Sequence, residues 1–452
     1  MAKGYTQRQG IDYGETYAPV VTYDSLRVIL SKAAALDLEL IQLDIKTAFL
    51  YGHLEEELYL EQPDGFIDPK NKSDVCLLKK SIYGLKQAPR MWNQEFNKFL
   101  VKFGLTRSTI DPCVYFRRHQ EEIRYVAIWV DDGLVCSNNR TTVNAILEHL
   151  KNHFDMRIMA ADRFVGLEIT RRREDRKILI TQSDFITKIL NQFKMESCHP
   201  KTIPSDPSGR LTPAMAPTNE EEELSMQTTP YQEAVGCLMY LTSITRPDIA
   251  FATNQVARFS HNPGPAHWEG VKRILSYLSG TRNHGLCFSG SSSSTLTGFT
   301  DANYAGDVET RRSTTGYVFL LHGGPVAWGC KRQKCTSLST TEPEYIAACE
   351  STREAVWLKR LLTELGLQET NPIPLLCDNQ SAVRLVRNPD SHQRTKHIDV
   401  KYHYIRDQQE GGEINILYVD TNNQLADILT KPLAAARFNW LREEIGIKSS
   451  SL

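Results

Sequence analysis

The chain has 452 residues, of which 41% are hydrophobic and 24% are charged, and its formal net charge is −1 at pH 7. The length predicts roughly three domains of about 150 residues each, and the near-neutral charge gives no overall sign of a polyanionic partner. The 10 cysteines lack paired Cys-x-x-Cys spacing and no apolar run approaches the ~18 residues of a membrane span, which predicts reduced thiols and no membrane partner.

The first predicted strand ends in an aspartate. Residues 23–35 have helical periodicity, and residues 39–45 then alternate as a strand that ends in Asp44. Phe49 follows five residues later, after a small alanine. A basic loop at 81–93, broken by glycine and proline, precedes a predicted helix, and such a loop at a helix start can hold phosphate.

Two adjacent aspartates lie between strand-forming runs in IWVDDGLVC, residues 128–136. Gly133 is expected to supply the positive φ of a tight hairpin, with Asp131 and Asp132 at its tip. Carboxylates this close repel each other, and a divalent cation between them relieves the repulsion. An Asp-Asp-Gly surface turn is the alternative, but the apolar flanks are typical of a buried hairpin and favour a metal site.

The middle of the chain predicts a hairpin, a linker and a helical module. A helix at 142–154 carries His149 and His153, which without a third ligand nearby are interpreted as surface residues rather than a metal site. A hairpin around a basic turn follows. The prolines and the acidic run after residue 196 predict a flexible linker over 197–230, and the helical patterns beyond it predict a module spanning 231–288.

The last third of the chain repeats the pattern of acids at strand ends. After a serine-rich stretch at 289–294 the sequence predicts strands, a long helix at 342–365 and a further strand at 373–377. Asp301 and Asp378 each end one of these strands. Local basic clusters are each more often a solvated face than a nucleic-acid surface; they comprise Arg171, Arg172, Arg173, Arg176 and Lys177, and Arg311, Arg312, Lys331, Arg332 and Lys334.

A series of motifs in this order resembles the reverse transcriptase and ribonuclease H portion of a copia-type LTR-retrotransposon Pol polyprotein. The motifs are LDIKTAFL, SIYGLKQAPRMW, IWVDDGLV, RFVGLEI, ITQSDFITKIL, YLTSITRPDIAFA, HWEGVKRILSYLSGT, STTEPEYIA, LCDNQSA, RTKHIDVKYHYIR and LADILTKPL. The resemblance implies an α+β and α/β multi-domain protein. It would have a right-hand polymerase palm and partial fingers over 1–196, a helical thumb or connection, and a ribonuclease H-like domain with a C-terminal helix over 289–452.

The resemblance also implies the site residues. In the polymerase half, Asp44, Asp131 and Asp132 match the catalytic aspartates, of which Asp44 and Asp131 would bind Mg²⁺ or Mn²⁺. Phe49 resembles a steric gate against a ribose 2′-hydroxyl. The loop that would pack template and nucleotide contains Tyr83, Gly84, Lys86, Gln87 and Pro89. In the ribonuclease H half, the catalytic and metal-binding acids would be Asp301, Glu344, Asp378 and Asp427.

Three departures from the family pattern are visible in the sequence. Pro343 stands where the family usually has alanine, although proline is tolerated in a first helical turn and Glu344 should still point inward. The stretch before Asp427 lacks the usual histidine, so His397 or His403 is the candidate substitute. The chain begins inside what resembles the fingers, without the basic segment expected to grip a triphosphate, which predicts weak polymerisation.

These features predict an RNA-directed DNA polymerase with a linked ribonuclease H, acting on RNA template, DNA primer, deoxynucleoside triphosphates and RNA:DNA hybrid. The expected location is cytoplasmic virus-like particles or the nucleus, together with the rest of a Pol polyprotein. One alternative is a truncated retroelement remnant that binds nucleic acid without polymerising. Another is a ribonuclease H with a degenerate polymerase half.

Overall fold

The chain divides into two compact units. The structure is a computed structural model that describes residues 1–119, 122–367, 372–387 and 403–449, so the predicted substitute His397 lies outside the described residues. The first unit comprises Met1–Leu26 and Leu38–Val165, and the second comprises Arg27–Asp37 and Gly166–Leu452. The division therefore falls at Val165, upstream of the boundary predicted at residue 196.

Residues 1–165 contain an antiparallel main sheet and three helices; most of the first helix, from Arg27 onward, belongs to the second unit. The helices are α1 (Tyr23–Ala35), α2 (Ala88–Lys102) and α3 (Arg140–Lys151), and the strands are β1 (Glu39–Ile45), β2 (Tyr59–Glu61), β3 (Val75–Leu77), β4 (Thr106–Arg107), β5 (Val114–His119), β6 (Glu122–Trp129), β7 (Asp132–Ser137), β8 (Met156–Ala160) and β9 (Arg163–Phe164). The main sheet has the order β4-β5-β6-β7-β1-β8. Strand β1 therefore lies beside β7, although most of the unit separates them in sequence.

The core of this unit explains why β1 and β7 stay in register. Leu43, Val126 and Val135 are fully buried and pack with Trp92 of α2 and Ile146 of α3. Buried positions on α2 recur every three or four residues, as expected for a helix that covers a sheet. Because a slip of one residue would move every core side chain of β1 to the opposite face, the apolar pattern fixes the register.

Residues 166–449 contain most of the helices and two further sheets. The helices are α4 (Ser183–Gln192), α5 (Glu220–Thr228), α6 (Tyr231–Ile244), α7 (Ala250–Ala257), α8 (Pro265–Gly280), α9 (Thr341–Glu364), α10 (Gln380–Arg387), α11 (Tyr404–Glu410) and α12 (Ala435–Glu444). The strands are β10 (Leu167–Arg172), β11 (Lys177–Thr181), β12 (His284–Ser289), β13 (Thr297–Asn303), β14 (Arg312–Leu321), β15 (Gly324–Thr336), β16 (Ile373–Cys377), β17 (Ile414–Tyr418) and β18 (Ile447–Ser449). Within the described ranges, no helix combines the length and apolarity needed to cross a bilayer.

The two sheets of the second unit differ in topology. One has the order β15-β14-β13-β16-β17; β13, β14 and β15 are antiparallel, whereas β16 runs parallel to both β13 and β17. The other sheet contains the strands β18-β12-β11-β10, in which each strand is hydrogen-bonded to the next. The segment 284–289, predicted as the end of a helical module, is thus a strand, because its buried Leu286 and Phe288 lie opposite Ile180 and Ile178.

The predicted flexible linker over 197–230 contains regular structure. Helix α5 begins after Asn219, whose side chain accepts a hydrogen bond from the Glu222 N–H at 2.9 Å. The acidic first turn of this helix complements its dipole. Upstream, the Lys201 N–H donates to the Ser276 carbonyl at 3.1 Å, and a Cβ on Gly264 would lie 1.9 Å from the Met215 carbonyl oxygen. Contacts with α8 and its start therefore hold this segment in place.

A buried ion pair joins the connection between α6 and α7 to the last turns of α8. Arg246 and Asp248 are both fully buried and form a two-point contact, with N–O distances of 2.9 and 2.7 Å. The Tyr277 hydroxyl also donates to Asp248 at 2.6 Å, and Arg246 donates to the Thr281 carbonyl at 2.9 Å. Removing one member of such a pair leaves an unpaired buried charge, at a cost of about 3–5 kcal/mol.

Candidate active sites

The hairpin between β6 and β7 carries the first group of acids. Trp129 pairs with Asp132, so Val130 and Asp131 form the turn. The positive φ belongs to Val130, at 55°, and not to Gly133, so the predicted role of Gly133 is wrong. Gly133 instead lies on β7 opposite Leu43, where a Cβ would come 2.8 Å from the Leu43 side chain.

A left-handed conformation is costly for a β-branched residue, and neighbouring groups hold this turn in place. The Trp92 indole N–H donates to the Val130 carbonyl at 2.6 Å. The Ile45 N–H donates to the Asp131 carbonyl at 2.9 Å, which joins the turn to the end of β1. The position of Asp131 is therefore fixed by helix α2 and by β1 as well as by its own hairpin.

Asp44, Asp131 and Asp132 converge at this turn. Asp44 lies directly opposite Asp132 on the neighbouring strand, so both side chains project from the same face of the sheet. Burial raises the pKa of Asp131, and the charge of Asp44 adds to the rise. Burial also raises the pKa of Asp132, followed by the charges of Asp131 and Asp44. An all-oxygen site with this excess of negative charge fits a hard divalent cation.

The convergence is looser than that of the second group of acids described below. In the part of the chain that the structure describes, two groups place every ligand atom within 4.8 Å of the others, and the three aspartates of this turn do not form one of them. Asp44 and Asp132 share one face, and the charges of all three act on one another without forming a closed cage.

Two aromatic residues lie beside these aspartates. The ring of Phe49 is 4.8 Å from the ring of Tyr83, and Phe49 is half-buried. Burial raises the pKa of Tyr83, and the charges of Asp131 and Asp44 raise it further, so its hydroxyl lies within their field. The structure thus brings Phe49 to Tyr83, and Tyr83 to the field of Asp131 and Asp44.

The rest of the loop before α2 contacts the N-terminal segment. Gly84 has a φ of 100°, and a Cβ there would lie 2.1 Å from the Ala2 carbonyl oxygen. Gln87 is fully buried, and its amide donates to the Asp12 carbonyl at 2.9 Å. The Lys86 ammonium donates to the Tyr13 hydroxyl at 3.2 Å, and Pro89 lies in the first turn of α2. Gln87 therefore serves to position this segment, since its side chain has no exposed surface for a ligand.

The second group of acids lies at one end of the sheet that contains β13 and β16. Thr300 and Cys377 are paired in parallel, and Asp301 and Asp378 are the next residues along the two strands. Asp427 completes this set from a short 3₁₀ helix, and carboxylate oxygens of the three aspartates lie within 4.8 Å of one another. Glu344 forms an overlapping group with Cys377 and Asp378.

Glu344 occupies the position expected of the helical acid. It is buried in the first turn of α9, and the Ala302 N–H hydrogen-bonds to its carboxylate. Glu342 instead accepts a hydrogen bond from the Leu338 N–H at 2.8 Å, which is a helix-start contact. The expectation that Glu344 points inward despite Pro343 is confirmed.

Burial and neighbouring negative charges disfavour the ionised form of the carboxyl groups in the second group. Burial raises the pKa of Asp301 to about 6; the charge of Lys431 opposes the rise and that of Asp427 adds to it. Burial also raises the pKa of Glu344 well above its usual value, followed by the charges of Asp301 and Asp378. These four acids offer oxygen ligands from separate elements, which fits divalent cations held between them.

Lys431 supplies a positive charge to this group, and sequence reasoning missed it. Its ammonium lies 2.6 Å from an Asp427 oxygen and 3.2 Å from an Asp301 oxygen. Burial lowers the pKa of Lys431, but the charges of Asp301 and Asp427 outweigh that effect and the net shift is upward. The available signal was the i,i+4 spacing of Asp427 and Lys431 within LADILTKPL.

The histidines have other partners. Of the two histidines proposed to replace the one absent before Asp427, only His403 lies in the described residues. Its Nδ1 is 3.3 Å from the Tyr345 hydroxyl. The His149 ring stacks on Phe99 and Phe103 at centroid distances of 4.4 and 4.5 Å. Neither histidine belongs to a group of potential metal ligands among the described residues.

The Lys431→Gln variant is expected to bind Mg²⁺ about tenfold more tightly than the parent, because the tethered ammonium no longer competes for Asp301 and Asp427. Isothermal titration calorimetry measures this affinity directly. The matched control is Lys359→Gln, which breaks a 3.1 Å ion pair with Glu413 elsewhere in the same unit. Weaker Mg²⁺ binding in the Lys431 variant would show that the lysine supports the cation instead of competing with it.

Comparison with known proteins decides the family. Residues 1–207 match a family model described as reverse transcriptase (RNA-dependent DNA polymerase). The whole chain is 45% identical to the retrovirus-related Pol polyprotein from transposon TNT 1-94 of Nicotiana tabacum, and 69% of it is 32% identical to the full length of a transposon Ty5-1 protein of Saccharomyces cerevisiae. The chain belongs to the copia-type Pol family. The predicted family resemblance is thereby confirmed.

The copia-type chain spans about a third of the length of its curated Pol relatives. It covers 34% of the tobacco protein and 30% of the Pol polyprotein from transposon RE1 of Arabidopsis thaliana, to which it is 38% identical. Among solved structures, a ribonuclease H1 from Halobacterium salinarum matches 30% of the chain and 94% of its own length, at 18% identity and a TM-score of 0.24. The match of residues 1–207 to the reverse transcriptase model and the sheets described above make the copia-type chain a reverse transcriptase family member with a mixed α/β fold of several sheets.

Proposed function

We propose that this copia-type chain is an RNA-directed DNA polymerase with a linked ribonuclease H, dependent on Mg²⁺ or Mn²⁺. The observation that carries the proposal is the pair of separate acidic groups, one at the hairpin turn and one around Asp301. In both groups burial and mutual repulsion raise carboxyl pKa values. Two such groups suit two reactions of the same type, because both phosphodiester synthesis and phosphodiester hydrolysis need charge stabilisation at phosphate.

In the polymerase reaction, Asp44 and Asp131 would hold divalent cations, and bound cations would supply charge neutralisation at the triphosphate and activation of the primer 3′-hydroxyl. Asp132 hydrogen-bonds with Gln42 and adjusts the field of the other two acids. Phe49 and Tyr83 form an aromatic wall beside them. A ribose 2′-hydroxyl against this wall would have neither room nor a hydrogen-bond partner.

In the nuclease reaction, Asp301, Glu344, Asp378 and Asp427 would hold the cations, which would supply an activated water to attack the RNA strand of a hybrid. The 2′-hydroxyl of that strand is the feature that distinguishes RNA from DNA. Lys431 balances Asp301 and Asp427 before cations bind. We place both reactions in cytoplasmic particles or the nucleus, with the rest of a Pol polyprotein as partner. All ten cysteines lie in the described residues and no disulfide joins them, which suits a reducing compartment.

Two assays on the purified chain test this proposal. Extension of a DNA primer on an RNA template, with Mg²⁺ and deoxynucleoside triphosphates, measures the polymerase. Cleavage of the labelled RNA strand in a preformed hybrid measures the nuclease, and EDTA should stop both. Binding of hybrid without either reaction would identify a retroelement remnant, and cleavage without extension would identify a ribonuclease H with an inactive polymerase half.

The Phe49→Val variant is expected to accept ribonucleotides about 10- to 100-fold better than the parent, relative to deoxyribonucleotides, because the smaller side chain leaves room for the 2′-hydroxyl. Single-nucleotide incorporation gives kcat/KM for each substrate. The control is Phe103→Val, a half-buried phenylalanine that contacts His149. Unchanged discrimination in the Phe49 variant would remove this residue from the substrate site.

A further inference from the structure

Two side-chain amides join strand β13 to the segment 424–430. The Gln424 amide nitrogen donates to the Thr300 carbonyl at 2.9 Å. The Asn303 amide nitrogen donates to the Thr430 carbonyl at 2.8 Å. Thr300 and Asn303 belong to the strand, whereas Gln424 and Thr430 belong to the segment, so each element donates one bond to the other.

These two bonds lie on either side of a pair of acids. On β13, Asp301 follows the first bonded residue and precedes the second. In the segment 424–430, Asp427 lies midway, three residues from each bonded end. Carboxylate oxygens of these two acids lie within 4.8 Å of each other. The distance between Asp301 and Asp427 is therefore set by a main chain that is cross-linked both before and after them.

The Gln424 side chain does more than begin a helix. Its amide oxygen accepts a hydrogen bond from the Ala426 N–H at 3.2 Å, which caps the 3₁₀ helix Leu425–Leu429. A shorter asparagine or serine is enough for a cap of this kind. Gln424 is instead fully buried, and its amide nitrogen reaches Thr300, 124 residues away in the sequence. The length of the glutamine side chain therefore serves the cross-link.

The carboxamide of Asn303 is held at both ends as well. Its amide oxygen accepts a hydrogen bond from the Thr314 N–H at 2.6 Å, on the neighbouring strand β14. Thr314 is fully buried, so this anchor is part of the sheet. A donor that is fixed in this way determines where the Thr430 carbonyl lies, and with it the chain that follows Asp427.

Both amides act through the main chain and not through the carboxylates. In the part of the chain that the structure describes, the hydrogen bonds of both amides go to main-chain groups. Lys431 differs, because its ammonium lies on the Asp301 and Asp427 oxygens that a cation would use. Two carboxylates this close repel each other, so a neutral link through the main chain holds them together with or without a cation.

We propose that Gln424 and Asn303 are positioning residues, which set the separation of the Asp301 and Asp427 carboxylates for a divalent cation. Groups that orient metal ligands from behind commonly contribute about 10- to 100-fold to metal affinity or activity. The presence of the cation rests on the proposed function, whereas the two cross-links rest on the contacts described above.

Mn²⁺ binding to the whole chain tests this role without a substrate. Electron paramagnetic resonance measures the free Mn²⁺, in an Asp131→Asn background that weakens binding at the hairpin turn. The Gln424→Met variant keeps the length of the side chain and loses both of its hydrogen bonds, so Mn²⁺ should bind about tenfold more weakly. Asp301→Asn in the same background should remove the measured site, which assigns it to the second group of acids.

A second variant keeps the test decisive if the first one does not fold. Asn303 is partly exposed, and Asn303→Ala should also weaken Mn²⁺ binding. The control for glutamine is Gln182→Met, which breaks a buried 2.7 Å hydrogen bond with the Thr245 hydroxyl. The control for asparagine is Asn254→Ala, which breaks a 3.3 Å hydrogen bond to the Cys330 carbonyl. Both control variants should bind Mn²⁺ as the parent does.

Hybrid cleavage provides a readout that a merely structural role would not move. In the Gln424→Met variant, the Mg²⁺ concentration for half-maximal cleavage should rise about tenfold, while KM for the hybrid stays at the parent value. Loss of folded protein would instead lower kcat at every Mg²⁺ concentration and leave that midpoint unchanged.

Parent-like Mn²⁺ affinity in both amide variants would overturn the proposal, as would equal weakening in the control variants. An unchanged Mg²⁺ midpoint in the Gln424 variant would also overturn it. A parent chain that binds Mn²⁺ but does not cleave hybrid would contradict the proposed nuclease, and the Mn²⁺ affinities would still decide the role of the two amides.

Discussion

Replacement of Asp131 by asparagine is expected to reduce primer extension by about 10²- to 10³-fold, the range observed when one preorganised charge-stabilising group is lost. Asparagine keeps the size of the side chain and the hydrogen bond of the main chain to Ile45, so the turn should persist. What disappears is the negative charge that, under the proposed function, would hold the cation together with Asp44. Steady-state extension on an RNA template measures the loss, and hybrid cleavage in the same preparation should be unchanged.

The control for this variant is Asp155→Asn, an exposed aspartate of the same unit that pairs with Lys46 at 3.0 Å. Its extension rate should match that of the parent. Full extension by the Asp131 variant would exclude the hairpin turn as the polymerase site. Parallel loss of extension and cleavage would instead indicate damage to the fold, which a thermal melt would reveal.

The Asp301→Asn variant is expected to show the reverse pattern, with hybrid cleavage reduced by about 10²- to 10³-fold and extension retained. Asp301 is fully buried and lies with Asp378 and Asp427 in one set of potential ligands. Asparagine cannot supply the charge that a cation requires there. Cleavage of labelled RNA in a hybrid under single-turnover conditions separates the chemical step from product release.

Asp407→Asn on α11 serves as the matched control, because it removes an exposed carboxylate from the same unit. Melting curves in EDTA provide a second check: the Asp301 variant should not be less stable than the parent, since it loses a buried charge that burial disfavours. Retained cleavage would remove Asp301 from the reaction. Together the two aspartate variants test whether the acidic groups work independently.

Local sequence patterns predicted the positions of the acids well. Asp44 was found because the alternation of apolar residues marks the strand, and it is the penultimate residue of β1. Asp301 was predicted to end its strand, but β13 continues to Asn303 because it stays paired with β14. Asp301 and Asp378 then meet because β13 and β16 are parallel neighbours, a relation that no local pattern contains. Glu344 was identified by family resemblance, because the local sequence pattern does not distinguish it from Glu342 in the same helical turn.

The features that sequence missed depend on contacts between distant segments. Gly133 appeared suited to a positive φ, yet close packing against Leu43 requires its lack of a side chain, and the tightly held Val130 takes the left-handed conformation. Strand β12 followed helical patterns and became a strand because β11 and β18 lie on either side of it. Lys431 was overlooked because its role exists only when Asp301, from another element, is beside it.

The buried pair of Arg246 and Asp248 bears on how degraded copies of such an element should be judged. A copy that loses Asp248 keeps all seven acids. The Arg246 guanidinium would then be buried without its partner, which lowers the free energy of unfolding by about 3–5 kcal/mol, a large part of the stability of an ordinary domain. The presence of all seven acids is therefore not enough to conclude that a copy still folds and is active. The RPD triplet within SITRPDIAFA, together with Tyr277 and Thr281, provides a second criterion that can be read directly from genomic sequence.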